Sequence, residues 1–138
     1  MSDVQDKPFG TNVTADHLFT RESGVGYEGS RSAMVIYDLG TSWSDCFASA
    51  NKDTEEAVWA MQRFSGPFPI SSFYSDCAGE LLSSAKRMGW MHRTAVPHHS
   101  KINGRVERVI RHIEDGTRTL LMRAGLDPHW WPLAVRAF

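Results

Sequence analysis

Three carboxylates stand where phosphoryl chemistry needs them. Asp16 falls inside a stretch of Val, Ala, Leu and Phe that reads as a strand, a setting in which a charge asks for a reason. Asp76 follows directly on the short apolar strand Ile70–Ser75, at the strand end where ligand sites of open α/β sheets gather. Glu107 lies in the first turn of the strongest amphipathic helix of the chain. Two strand positions and a helix that converge can hold two divalent cations about 3.5–4 Å apart. Hard oxygen ligands suit Mg²⁺ or Mn²⁺. Such a pair activates an attacking hydroxyl and stabilises the leaving oxygen of an in-line phosphodiester displacement. The competing reading is that acids at strand ends are usually solvated or capping. Asp38, Asp45 and Glu80 are rival members of the set.

Other chemistries find less support. The chain has no Gly-x-x-x-x-Gly-Lys phosphate loop, no Gly-x-Gly-x-x-Gly and no HExxH helix. Gly40–Ser44 lacks the final glycine of a nucleophile elbow. Cys77, His92, His98 and His99 make a poor zinc set, since adjacent residues of an extended chain point to opposite sides. Cys46 and Cys77 form neither a disulfide framework nor a CxxC pair, and reduced thiols of an intracellular protein are expected. Cys77 reads as a small space-filler, since thiolate is a poor partner for Mg²⁺. Asp38 ends an apolar strand and is expected to bond to the turn at Gly40-Thr41, a structural role.

The elements that must position these groups are legible in outline. The 138 residues are 41% apolar and 22% charged, with a net charge of −1, the composition of one ordinary globular domain rather than a disordered chain. No apolar run is long enough to span a membrane, and the start lacks a signal-peptide core. The neutral total hides a division: residues 1–80 carry a net of −7, and residues 81–138 a net of +6 with five of the six histidines. Such asymmetry hints at polyanion binding by one face, unless folding interleaves the halves.

Residues 1–11 read as a poorly ordered lead-in and 12–138 as a single core. Val13–Thr20, Ala33–Leu39 and Trp43–Ala50 are expected strands of an antiparallel meander, with a glycine-rich hairpin loop at Arg21–Ser32. Asp53 and Glu56 form a capping-box pattern ahead of a helix with Ala57, Val58, Met61 and Phe64 on one face. Strand Ile70–Ser75, helix Gly79–Met88 with Leu81, Leu82, Ala85 and Met88 on one face and Gly89 as its stop, and strand Met91–Val96 follow. Pro97–Lys101 reads as a loop, and the long helix runs from about Gly104 to Ala124 with Gly125 as its left-handed stop. Asp127-Pro128 and Pro132 start two more helices, and the last reaches Phe138, as in a chain truncated at its C-terminal end. The fold class is α/β: a mixed five-stranded sheet, three antiparallel strands then β-α-β, flanked by helices. Trp43, Trp59 and Trp90 are expected in the core, and Trp130-Trp131 at a core or an interface rather than as a base-stacking platform.

Several segments carry a family resemblance. Ser75-Asp76-Cys77-Ala78-Gly79-Glu80-Leu81 resembles the SDNGxEF segment of retroviral and long-terminal-repeat retrotransposon integrase cores. Pro97 to Arg108, with its Asn103-Gly104-Arg105-Val106-Glu107-Arg108, resembles the P-x-x-P-Q-x-N-G-x-x-E-R segment that bears the family's last acid. Thr14-Ala15-Asp16-His17-Leu18 sits where the first acid is expected, and Trp130-Trp131-Pro132-Leu133-Ala134 looks like the F-W-x-x-A helix of Copia-like elements. The resemblance covers residues from about 12 to the end. It implies a ribonuclease-H-like fold and a D, D, E triad of Asp16, Asp76 and Glu107 that holds two Mg²⁺ (or Mn²⁺) ions. It implies trimming of element DNA ends and joining of their 3′ hydroxyls to target DNA. It also implies a homo-oligomer when active and, in a eukaryotic host, the nucleus.

Glu107 and Arg111, four residues apart, share one face of the long helix, and Arg105 and Arg108 flank that face. With the triad in place, Lys101, Asn103, Arg108 and Arg111 become candidate DNA contacts, gripping phosphates with little sequence preference. Asn103 is also a candidate helix cap. Without it, Arg108, Arg111 and Arg118 are expected to pair with Glu114 or Asp115 on a solvated face. The chain departs from the family in places. Only 30 residues separate Asp76 from Glu107, fewer than in many relatives; Cys77 stands where Asn is usual, and Ser100-Lys101 replace Pro-Gln. These departures leave open a catalytically inactive remnant that keeps nucleic-acid-binding or self-association surface. An unrelated nuclease of the same fold is disfavoured by the N-G-x-x-E-R segment.

Overall fold

A computed structural model describes residues 8–19, 29–30, 32–50, 53–75, 79–94 and 100–137. The strands are β1 (Val13–Phe19), β2 (Ser32–Asp38), β3 (Ser44–Ser49), β4 (Phe73–Ser75) and β5 (His92–Thr94). The helices are α1 (Thr54–Ser65), α2 (Gly79–Met88), α3 (Ser100–Ala124) and α4 (Trp131–Ala137), with a 3-10 turn at Pro128–Trp130 ahead of the last. The strands form one sheet in the order β3-β2-β1-β4-β5. β1 pairs antiparallel with β2 and β2 with β3, whereas β1–β4 and β4–β5 are parallel. The chain is therefore α/β with a mixed sheet, as its patterning implies.

Strand alternation divides the interior in two. Met34 and Ile36 of β2 join Val13, Phe73, Met61 and Leu81 in a core under α1 and α2. Ala33 and Val35 of the same strand join Cys46, Ile113, Leu121 and Trp131 in a second core under α3 and α4. All seven residues of β2 are buried, which explains why it reads as a continuous apolar run rather than an alternating one.

Local chemistry ends the helices as expected. The Asp53 side chain accepts the Glu56 N–H at 2.9 Å and caps α1. Gly89 (φ 74°) closes α2, with the Trp90 N–H on the Ala85 carbonyl and the Gly89 N–H on that of Lys86. This paired arrangement satisfies two orphan carbonyls, and it delivers Trp90 into the first core against Phe73, ring centroids 5.3 Å apart. Gly125 (φ 68°) ends α3 in the same way.

Several expectations are corrected. The long helix begins at Ser100, so Ser100 and Lys101 are helical rather than part of a loop; Pro97–His99 lie outside the described residues. No proline falls between Pro97 and Pro128, so nothing stops the helix from propagating backwards past Gly104. Trp43 and Trp59 are exposed, at 58% and 40%, rather than in the core. Trp43 rides on the β2–β3 turn and Trp59 packs flat under the Arg63 guanidinium, 4.5 Å from its ring centre, which keeps one face in water. Leu82 is also exposed.

β4 is shorter than Ile70–Ser75: the Ser72 carbonyl accepts the Val13 N–H at the ladder's first bond, and before it the Ser71 N–H turns to the Gly10 carbonyl at 2.6 Å. Residues 8–11 are tied down rather than loose. Phe9 packs on Phe64 with centroids 5.4 Å apart, and the Gly10 N–H reaches Asp38. Gly10 (φ 89°) must be glycine, since a Cβ there would meet the Pro69 carbonyl oxygen at 2.2 Å.

Candidate functional site

Asp16 lies opposite Val35 on β2, and Val35 lies opposite Cys46 on β3. Cross-strand partners project to one face, and Val35 and Cys46 belong to the core under α3 and α4. Asp16 therefore projects from the α3 side of the sheet. It is half-buried, and its Oδ1 accepts the His17 N–H at 2.8 Å. β4 runs parallel to β1 with Val13 beside Phe73 and Thr14 beside Tyr74. Its last residue, Ser75, is buried, with Oγ 2.5 Å from His92 Nε2. Asp76 and Cys77 lie outside the described residues, as do His98 and His99.

Glu107 is exposed on α3, next to the buried Val106. The buried stripe of this helix is Val106, Ile113, Thr117 and Leu121. At about 100° per residue, Glu107 and Arg111 share the flank on one side of that stripe. Arg105, Arg108 and His112 share the other, and line a groove there with Trp43 and Asp45. Arg111 thus accompanies Glu107, as the i, i+4 spacing predicts. Arg108 and Arg105 do not flank the Glu107 face, a correction to the expected grouping. Lys101 and Asn103 belong to the first turns of α3, and their side chains lie outside what is described. Arg118 pairs with Asp115 at 3.2 Å on the exposed surface, the solvated-face arrangement expected of that residue.

The rival carboxylates have other work. Asp38 is fully buried and accepts the Gly10 N–H at 3.1 Å through Oδ1, and the Thr41 N–H and hydroxyl at 2.9 and 2.6 Å through Oδ2. It ties the β2–β3 turn to the chain entry, as its position before Gly40-Thr41 suggests. Asp45 accepts the Cys46 N–H at 2.8 Å at the edge of the groove. Glu80 stands 4.0 Å from His17 Nδ1, both side chains largely covered. Among the described residues no group of three His, Cys, Asp or Glu side chains is placed to hold a metal ion.

From the sequence, Arg105 reads as one of the basic side chains beside Glu107 and Trp43 as a core residue; the groove they share is a product of packing. The Arg105 guanidinium lies over the Tyr37 ring, 5.4 Å from its centre. Its Nη2 donates to Tyr37 Oη at 2.8 Å, the Leu39 carbonyl at 3.1 Å and Ser42 Oγ at 3.4 Å. The signal that could have found it is the spacing of Arg105, Arg108 and His112, at i, i+3 and i+7 on one helix flank.

No helix among the described residues is long and apolar enough to cross a membrane. No family model matches the chain. Over 68 residues, 47% of the chain, it is 38% identical to the retrovirus-related Pol polyprotein from transposon RE1 of Arabidopsis thaliana, and the match takes in 5% of that polyprotein's length. Across about half its length, the chain is related to a retrotransposon Pol polyprotein.

Proposed function

We propose that the chain is the catalytic core of a retrotransposon integrase with a ribonuclease-H-like fold, cutting and joining DNA through Asp16, Asp76 and Glu107. The observation that carries this reading is the sheet itself. Three antiparallel strands lead into a parallel β4 beside β1, so the strand bearing Asp16 and the one leading into Asp76 are neighbours with a common direction. Asp16 projects toward the side on which α3 packs, and α3 bears Glu107. The relationship to a Pol polyprotein supports the same reading.

The proposed donor set is all carboxylate oxygen, which fits a hard divalent cation. Asp16 would enter it half-buried, with one oxygen already steadied by the His17 N–H. Two Mg²⁺ or Mn²⁺ ions, when bound by Asp16, Asp76 and Glu107, would supply Lewis-acid activation of the attacking hydroxyl and stabilisation of the leaving 3′ oxygen. Arg111, on the Glu107 flank, holds a phosphate of the DNA end, and Lys101 and Asn103 from the first turns of α3 do the same further along the strand. Arg108 contacts DNA from the other flank. The active form is a homo-oligomer on paired ends, in the nucleus of a eukaryotic host.

A second reading, an inactive remnant that keeps the fold, is favoured by the 30-residue span from Asp76 to Glu107 and by Cys77. Disintegration of branched DNA decides between them. The integrase reading expects Mg²⁺-dependent resolution that Asp76→Asn reduces to background. No activity in the unaltered chain favours the remnant, and activity that survives Asp76→Asn contradicts the triad.

A further inference from the structure

The flank of α3 opposite Glu107 carries a groove of about 790 Å³ between the β2–β3 turn and α3, within the size range of small-ligand clefts. Cys46, Ile113 and Val135 give it an apolar floor. Two arginines make it unusual. Arg105 is half-buried, and every acceptor of its guanidinium is neutral: a phenol, a carbonyl and a serine hydroxyl. Its buried Nη1 has no hydrogen-bond partner among the described residues. A covered cation without a carboxylate is costly, and an anion in the groove would offset that cost. Arg108 is exposed on the same wall, a turn further along. Asp45 is the carboxylate of the lining, and no ion pair within 4.0 Å joins it to either arginine among the described residues. At the rim stands Trp43, more than half exposed.

We infer that this groove binds a single strand of nucleic acid, with a base stacked on Trp43 and the adjoining phosphate against Arg105 and Arg108. The two ends of the groove divide the ligand's chemistry. Phosphate is drawn to the arginine wall, and the base is received by the indole and the apolar floor, a pairing that tolerates any sequence. Asp45, with one oxygen engaged by the Cys46 N–H, repels phosphate from the base end and so sets which way the strand lies in the groove. An acidic peptide would meet the same repulsion along its length, and a duplex is too wide for a cleft of this size. The class of ligand rests on the proposed function, whereas the site does not include Asp16, Asp76 or Glu107.

Fluorescence anisotropy of a labelled oligothymidine strand, with 5-iodouracil photocrosslinking, tests the site. Trp43→Ala is expected to weaken binding about tenfold. Arg108→Glu is expected to do so at least as much, with a log–log salt slope shallower by about 0.7 for each phosphate that is no longer neutralised. Both side chains are exposed, and circular dichroism checks that the fold is kept. The crosslink is expected at Trp43 and is expected to persist in Asp76→Asn, so that loss of catalysis and loss of the groove are read separately. Unchanged affinity in both variants, or a crosslink elsewhere, overturns the inference. So does a poly(Glu,Tyr) peptide that binds with these sensitivities when the oligonucleotide does not.

Discussion

The two flanks of α3 carry similar side chains to different ends. On one, Glu107 and Arg111 stand exposed, four residues apart. On the other, Arg105 reaches back to the β2–β3 turn and is fixed by three neutral oxygens, with Arg108 and His112 lining the same groove. The difference shows that a residue's neighbours, more than its type, decide whether a charge is a free tool or part of the frame. The carboxylates show the same contrast, since Asp38 is sealed in the core by three donors while Glu107 faces water.

The largest effect on stability should come from the sealed acid. Asp38→Ala leaves three donors without their acceptor and is expected to cost about 3 kcal/mol or more, read as a lowered urea midpoint. Glu107→Gln should stay within about 0.5 kcal/mol of the parent, the usual range for exposed positions. Equal effects would erase the distinction between a structural and a chemical acid.

A smaller contrast separates the arginines. Arg105→Met keeps much of the aliphatic stem but leaves the Leu39 carbonyl without its donor, while Tyr37 Oη keeps its bond to Ser42 Oγ, at an expected cost of about 1 kcal/mol. Arg111→Met is expected to change stability by less than about 0.5 kcal/mol. A thermal melt of each variant checks this, and a larger loss for Arg111 would reverse the roles of the flanks.

The smallest effect is a pH dependence far from both flanks. Burial, and then the neighbouring Asp53 charge, raise the Glu56 carboxyl above its ordinary value of 4.5. The folded chain therefore holds that proton more tightly than the unfolded one. The favourable contribution is present below about pH 4.5 and fades as pH climbs through the raised folded value. Glu56→Gln should accordingly stabilise by a few tenths of a kcal/mol at neutral pH and by nothing at pH 4. A stabilisation that grows on acidification would contradict this assignment.

The fold was legible where local chemistry sets it. The Asp53 cap, the glycine stop after Met88 and the apolar run of β2 all report on short-range rules, and their elements fall where those rules put them. The bond from Asp38 to the Gly40-Thr41 turn was legible for the same reason. What escaped depends on distant partners. Trp43 is a core residue by type, and only the path of the β2–β3 turn leaves it in water. Arg105 reads as one more basic residue near Glu107, and its acceptors come from a strand and turn more than sixty residues earlier. The start of α3 at Ser100 was hidden by two residues that a loop and a helix accept equally. Of the site, the acids and their order are sequence features; the division of α3 into two basic flanks is a product of packing.

The central claim is that Asp16, Asp76 and Glu107 act as one unit. Disintegration of branched DNA in Mg²⁺, measured side by side for the unaltered chain and for Asp16→Asn, Asp76→Asn and Glu107→Gln, tests it most directly. The account predicts that each single change alone drops the rate to background while the fold persists, because members of one unit are not additive. A variant of any of the three that keeps most of the parent rate would contradict it.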